Sequence, residues 1–170
     1  MVVCVGGKGS GKTLLLKLLV DRNFEQDSVI VPTIGVNIFN KDIKCRKKKV
    51  SVSIRELGGE LAPLWVEYLQ TETSLIFVVN TLNLGQLGLV AVKLCECLAL
   101  LERNSRSFNQ VARLCVVWTR QGCVKTVTKL LKLKELLHNS SVILTEVTFD
   151  QKNLSGISEL EQWLASTHSC

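Results

Sequence analysis

The stretch Val2-Val3-Cys4-Val5-Gly6-Gly7-Lys8-Gly9-Ser10-Gly11-Lys12-Thr13-Leu14-Leu15-Leu16-Lys17-Leu18-Leu19 decides how this chain folds. The apolar run from Val2 to Val5 predicts a short buried strand, and the leucines from Leu14 onward predict the opening of a helix. Between them, Gly6 to Thr13 match G-x-x-x-x-G-K-[ST], with the glycines in the strand-to-helix turn. In such a turn the backbone curls so that successive N–H groups point inward, which glycine allows without a Cβ clash. The helix N-terminus adds a partial positive charge facing a bound phosphate. Gly6, Gly7, Lys8, Gly9, Ser10 and Gly11 are therefore candidates for a phosphate cradle. Lys12 is the candidate to reach the β- and γ-phosphates, and the Thr13 hydroxyl the candidate ligand for Mg2+.

The rest of the composition suits one domain around such a loop. The chain has 170 residues, enough to bury a core without disulfides, and a single domain over 1–170 is expected. It is 46% hydrophobic but only 5% aromatic, so the core must be built from Leu, Val and Ile. No apolar run reaches the roughly 18 residues that a bilayer span needs. The first strand follows Met1 directly and residue 2 is valine, so neither a signal peptide nor an N-myristoyl group is expected. Cysteines 4, 45, 95, 97, 115, 123 and 170 form no zinc spacing, and their odd number points to reduced thiols in the cytosol. Cys170 is not in a C-a-a-X sequence.

The net charge of +6 is concentrated in Lys41, Lys44, Arg46, Lys47, Lys48 and Lys49, with Asp42 the one acid among them. The segment from Lys44 to Lys49 suits either contact with an anionic membrane or the solvated tip of a hairpin. No aromatic residues are interleaved for base stacking, so no nucleic-acid partner is expected. A monomer is expected, cytoplasmic or peripheral on membranes.

Strands and helices alternate along the chain, which predicts a parallel sheet covered on both faces. Strands are expected over 36–44 and 50–55 (joined by the basic turn), 74–80, 112–118 and 142–147. Helices are expected over 61–70, 84–103, 125–138 and 155–166. In the longest, Leu87, Val90, Leu94, Leu98 and Leu101 form one apolar stripe.

Two further segments, Pro32-Thr33-Ile34-Gly35 and Ile54-Arg55-Glu56-Leu57-Gly58-Gly59-Glu60, complete a pattern. Together with the phosphate loop they resemble the two switch regions of small GTPases of the ADP-ribosylation-factor family, in the same order along nearly the whole chain. The resemblance implies a P-loop NTPase three-layer α/β sandwich, a six-stranded, mostly parallel sheet flanked by about five helices. It implies GTP or GDP with Mg2+ as the ligands. It also implies an effector protein that reads the segments from Pro32 to Gly35 and from Glu56 to Glu60. By family position Thr33 offers its hydroxyl to Mg2+, Gly59 its N–H to the γ-phosphate, and Glu56, where most members carry Asp, holds the ion through a water.

Three positions depart from that pattern. Glu60 stands where the family has the Gln that orients the attacking water, and an ionised carboxylate cannot donate a hydrogen bond. Thr119-Arg120-Gln121-Gly122 replaces Asn-Lys-x-Asp, so the acceptor for guanine N1–H and N2–H2 is missing. Arg120 still offers its guanidinium plane to a purine face. Thr148-Phe149-Asp150 replaces the family's Ser-Ala-Lys-type loop, which leaves Asp150 as a substitute acceptor. The readings left open are a GTP-binding switch with slow hydrolysis and a pseudo-GTPase interaction module with a degenerate guanine site. Another phosphate-loop enzyme is disfavoured, because a small-molecule kinase needs an Arg-bearing lid that the sequence does not show.

Overall fold

A computed structural model describes residues 1–25, 29–45, 48–119, 135, 137–138 and 140–167, with only the backbone at 45 and 84. Six strands, β1 (Val2–Gly6), β2 (Val36–Cys45), β3 (Lys48–Leu57), β4 (Ser74–Asn80), β5 (Arg113–Thr119) and β6 (Ile143–Phe149), form one sheet in the order β2-β3-β1-β4-β5-β6. β2 and β3 are antiparallel and every other neighbouring pair is parallel. Four α-helices lie among the described residues: α1 (Lys12–Val20), α2 (Trp65–Tyr68), α3 (Leu87–Phe108) and α4 (Ile157–Ser166). That is fewer than the five expected, and the helix expected over 125–138 lies largely outside the described residues.

The period of two along the strands sorts their side chains between the faces. Val3 and Val5 of β1, Leu75, Phe77 and Val79 of β4, and Leu114, Val116 and Trp118 of β5 share one apolar layer with α2 and α3. Val2, Cys4, Ile76, Val78, Cys115 and Val117 share the other with α1 and α4. Both faces of the inner strands are thus buried, as a parallel sheet requires. On α3, Leu87, Leu94, Leu98 and Leu101 are buried, and Val90 packs against the same layer. Burial pushes the Cys4 and Cys115 thiols above their ordinary range and Cys97 up to about 12, whereas Cys95 is exposed.

Several boundaries moved. The helix expected over 61–70 begins instead as a 3-10 turn, Gly59–Leu64, with Pro63 inside it, and α2 follows. Proline lacks the N–H that a continuous α-helix would use. The buried Asn104 side chain of α3 donates to the carbonyls of Leu69 (2.6 Å) and Glu72 (2.7 Å), which satisfies the end of α2. Helix α3 runs past the expected end at residue 103 to Phe108, where Asn109 takes a left-handed φ of 49° and caps it.

On the β2–β3 hairpin, Lys44, Lys48 and Lys49 are exposed, whereas Lys41 pairs with Glu161 of α4 at 2.9 Å. Residues 46 and 47 of the basic turn lie outside the described residues. No helix among the described residues is long and apolar enough to cross a membrane.

Strand β1 lies between β3 and β4, so the connection from β1 to β2 and the connection from β3 to β4 run toward opposite sides of the sheet. Ligands of open α/β sheets bind in the crevice at such a reversal point.

Candidate nucleotide site

The loop after β1 enters α1 through Gly11, whose φ of 88° is left-handed and leaves the helix without a side-chain cap. An uncapped N-terminus keeps its N–H groups directed at the loop. Lys12 is 6% exposed, and its ammonium donates to the carbonyls of Gly6 (2.8 Å) and Gly7 (3.1 Å) beneath the loop. Ser10 Oγ lies 3.5 Å away. Burial pulls the Lys12 pKa below the ordinary lysine value, against the Glu56 carboxylate, which favours the charged form.

Three separate segments deliver oxygen atoms beside this loop. Thr13 Oγ1 donates to Glu56 Oε1 at 2.5 Å and lies 3.1 Å from Thr33 Oγ1. Thr33 Oγ1 is itself 3.4 Å from Glu56 Oε1. Glu56 is fully buried, and a buried carboxylate needs partners. Asn37 supplies one, donating from Nδ2 to Glu56 Oε2 (3.1 Å) and to Thr33 Oγ1 (3.2 Å). The hairpin register sets Asn37 directly opposite Glu56. Two hydroxyls and a carboxylate are the hard oxygen donors that suit Mg2+. Among the described residues, no group of three His, Cys, Asp or Glu side chains comes together that could hold a metal ion.

The second switch segment lies on the phosphate loop. Gly58 N–H donates to the Gly35 carbonyl at 2.8 Å, and Trp65 Nε1 reaches the Gly58 carbonyl at 3.4 Å. A Cβ on Gly59 would lie 2.3 Å from Lys8 N and 2.7 Å from Gly7 C, so only glycine permits this approach. The next residue, Glu60, accepts a 2.5 Å hydrogen bond from Lys8 Nζ, which holds its carboxyl below the usual carboxylate range.

At the far end of the loop, Thr119 Oγ1 donates to the Ser10 carbonyl (2.7 Å) and sits 3.2 Å from the Val79 carbonyl. Its own carbonyl accepts from Thr81 Oγ1 at 3.0 Å. Arg120 and Gly122 lie outside the described residues. A cleft of about 560 Å3 runs along the loop past Thr33, Glu56, Gly59 and Glu60. A second, of about 390 Å3, shares Gly11, Leu14 and Gln151 with it and continues past Leu82, Thr119, Phe149, Asp150 and Lys152. The two together offer an elongated space, with a phosphate cradle at one end.

The sequence profile of the ADP-ribosylation factor family matches residues 1–168. The chain belongs to the ADP-ribosylation factor family. It is 27% identical over 179 residues to human ADP-ribosylation factor-like protein 16, across 99% of this chain and 86% of that protein. It is also similar in structure to the Arl6 BBS3 small GTPase from Trypanosoma brucei, solved with the nucleotide analogue GppNp bound. That similarity has a TM-score of 0.76 at 21% identity and covers 99% of this chain and 98% of the other. The six-stranded sheet is therefore that of the Arf-type small GTPases.

Of the residues singled out in the sequence, Lys12, Thr13, Thr33, Glu56, Gly59 and Glu60 line one cleft, and Thr119 braces its far end. Asn37, the clasp between Thr33 and Glu56, was not legible beforehand. It carries no motif, and only the hairpin register brings it to Glu56. The Lys8–Glu60 pair was missed for the same reason, since 52 residues separate the partners.

Proposed function

We propose that the chain is a nucleotide-dependent switch, one G domain that holds GTP or GDP with Mg2+ and hydrolyses GTP slowly in intracellular, membrane or ciliary trafficking. The observation that carries this reading is the meeting of Thr13, Thr33 and Glu56 beside a glycine-rich cradle at the reversal point of the sheet. Mg2+, when bound, would neutralise charge on the phosphates. The Thr13 and Thr33 hydroxyls and the Glu56 carboxylate, which lie together, would hold that ion. Asn37 keeps two of the three in place. The Gly59 N–H serves the terminal phosphate, and Lys12 the β- and γ-phosphates. Identifying the nucleotide that co-purifies with the protein tests the reading directly, and protein that emerges free of any nucleotide argues against it.

Hydrolysis is slow because Glu60, ionised and paired with Lys8, has no proton to donate to an attacking water. Glu60→Gln is expected to speed single-turnover hydrolysis by roughly tenfold or more, the scale of one hydrogen bond gained in the transition state. The neutral amide both donates and accepts around the attacking water and removes a like charge beside the phosphate. An unchanged rate would favour the second reading, a pseudo-GTPase interaction module. One observation supports that alternative: the Thr119 hydroxyl is committed to the Ser10 and Val79 carbonyls.

In either reading an effector contacts the segments from Pro32 to Gly35 and from Glu56 to Glu60. The exposed apolar side chain of Ile34 within the first segment, with Val31, Val36, Ile38 and Leu64 flanking the two, supports this. The hairpin lysines between Lys44 and Lys49 make a weak, reversible contact with anionic membranes, each contributing about 1 kcal/mol, and salt screens it. Liposome sedimentation is expected to show wild type moving with anionic vesicles at low salt and less at physiological salt. Equal sedimentation of wild type and a Lys47/Lys48/Lys49→Ser variant in all conditions would reduce the turn to a solvated loop.

A further inference from the structure

Lys8 occupies a variable position of the phosphate-loop motif, and nothing in that motif asks for a cation there. Its ammonium nevertheless crosses 52 residues of sequence to hold Glu60 at 2.5 Å, although both side chains are about 60% exposed. An exposed ion pair between long side chains gains little unless the backbone brings its partners together. Here the fixing element is Gly59, whose backbone rests against the Gly7–Lys8 peptide more closely than any Cβ would allow. Lys8 and Glu60 also line the same cleft as Lys12, Thr13, Thr33 and Glu56. A carboxylate therefore stands at the mouth of a cradle whose chemistry suits a polyphosphate, and Lys8 is the cation that neutralises it.

We propose that Lys8 and Glu60 form an exchangeable latch that distinguishes a nucleoside triphosphate from a diphosphate. This rests on the nucleotide-binding reading above and extends it. The terminal phosphate of a triphosphate carries more charge than one carboxylate and competes with Glu60 for the Lys8 ammonium. It also repels the Glu60 carboxylate directly. Both effects open the Lys8–Glu60 pair and turn the Glu60 side chain away, while the Gly59 N–H stays at the terminal phosphate. A diphosphate, held deeper by Lys12 and the α1 N-terminus, leaves the pair closed. Lys8 is thus a specificity-determining residue for the number of phosphates, and Glu60 is its internal competitor.

The test measures affinities for a non-hydrolysable GTP analogue and for GDP, in Mg2+, with wild type, Lys8→Ala, Lys8→Arg, Glu60→Gln and Lys12→Ala. Lys8 and Glu60 are exposed, so replacing either leaves the core intact. Lys8→Ala is expected to lower the triphosphate-to-diphosphate preference about tenfold, the scale of one charge-assisted hydrogen bond, with GDP affinity within about twofold. Lys8→Arg keeps the charge and retains the preference. Glu60→Gln raises it, because the competitor is gone. If binding depends on Lys12 but Lys8→Ala changes both affinities equally, or neither, the latch is overturned and the nucleotide site stands. If wild type and Lys12→Ala alike bind neither nucleotide, the site reading falls and the latch falls with it.

Discussion

Lys12→Ala and Thr13→Asn are each expected to weaken Mg2+-dependent triphosphate binding tenfold or more, a loss of about 1.4 kcal/mol per decade. The effect is large because neither side chain has a substitute nearby. Lys12 is held beneath the loop by the Gly6 and Gly7 carbonyls, at 2.8 and 3.1 Å, where burial has already removed much of its hydration. A cation stripped of water and fixed by backbone acceptors interacts with phosphate more strongly than a solvated one. Thr13 is the junction between loop and cation site, because its hydroxyl touches both Glu56 and Thr33. An asparagine there brings a bulkier amide in place of the hydroxyl, and the Glu56 carboxylate loses a 2.5 Å partner. Titration calorimetry at fixed Mg2+ measures both variants, and unchanged binding in both would remove the phosphate-loop assignment.

Selectivity between GTP and ATP is expected to fall well short of a thousandfold. A site built to hydrogen-bond a base edge rejects the wrong base by up to about 10^4-fold or more, because its polar groups would otherwise be left unpaired. Here the position where the family pattern places the acceptor is Gly122, which has no side chain. Thr119 does not compensate, since its hydroxyl already donates to the Ser10 carbonyl at 2.7 Å. The adjoining cleft is lined instead by Leu82, Phe149, Asp150 and Lys152. Restoring both positions, with Thr119→Asn and Gly122→Asp together, is expected to raise guanine preference in a competition assay. A thousandfold preference already present in wild type would make Asp150 the acceptor, and Asp150→Ala would then abolish it.

How far the sequence led depended on the range of the interaction concerned. The phosphate loop was legible because strand, glycines and helix follow one another within 18 residues, each with its own local signal. The inner strands were legible from their apolar runs: β4 was expected at 74–80 and is found at Ser74–Asn80. The ends of elements were less so. The apolar stripe of α3 ends at Leu101, several residues before Asn109, the left-handed residue that closes the helix. The helix expected over 61–70 took no account of Pro63, which lies inside the 3-10 turn Gly59–Leu64. The contacts that assemble the site (Asn37 to Glu56, Lys8 to Glu60, Thr119 to Ser10) join residues distant in sequence and carry no local periodicity.

The hydrogen bond from Gly58 N–H to the Gly35 carbonyl joins the two switch segments to each other rather than to the scaffold. Asn37 adds a second tie, through Thr33 on one side and Glu56 on the other. Loops that must break the same bonds to move are one device with two settings, not two devices with four. A protein that touches only the strand-side loop therefore also senses the position of its neighbour, and a small docking footprint suffices to read the whole site.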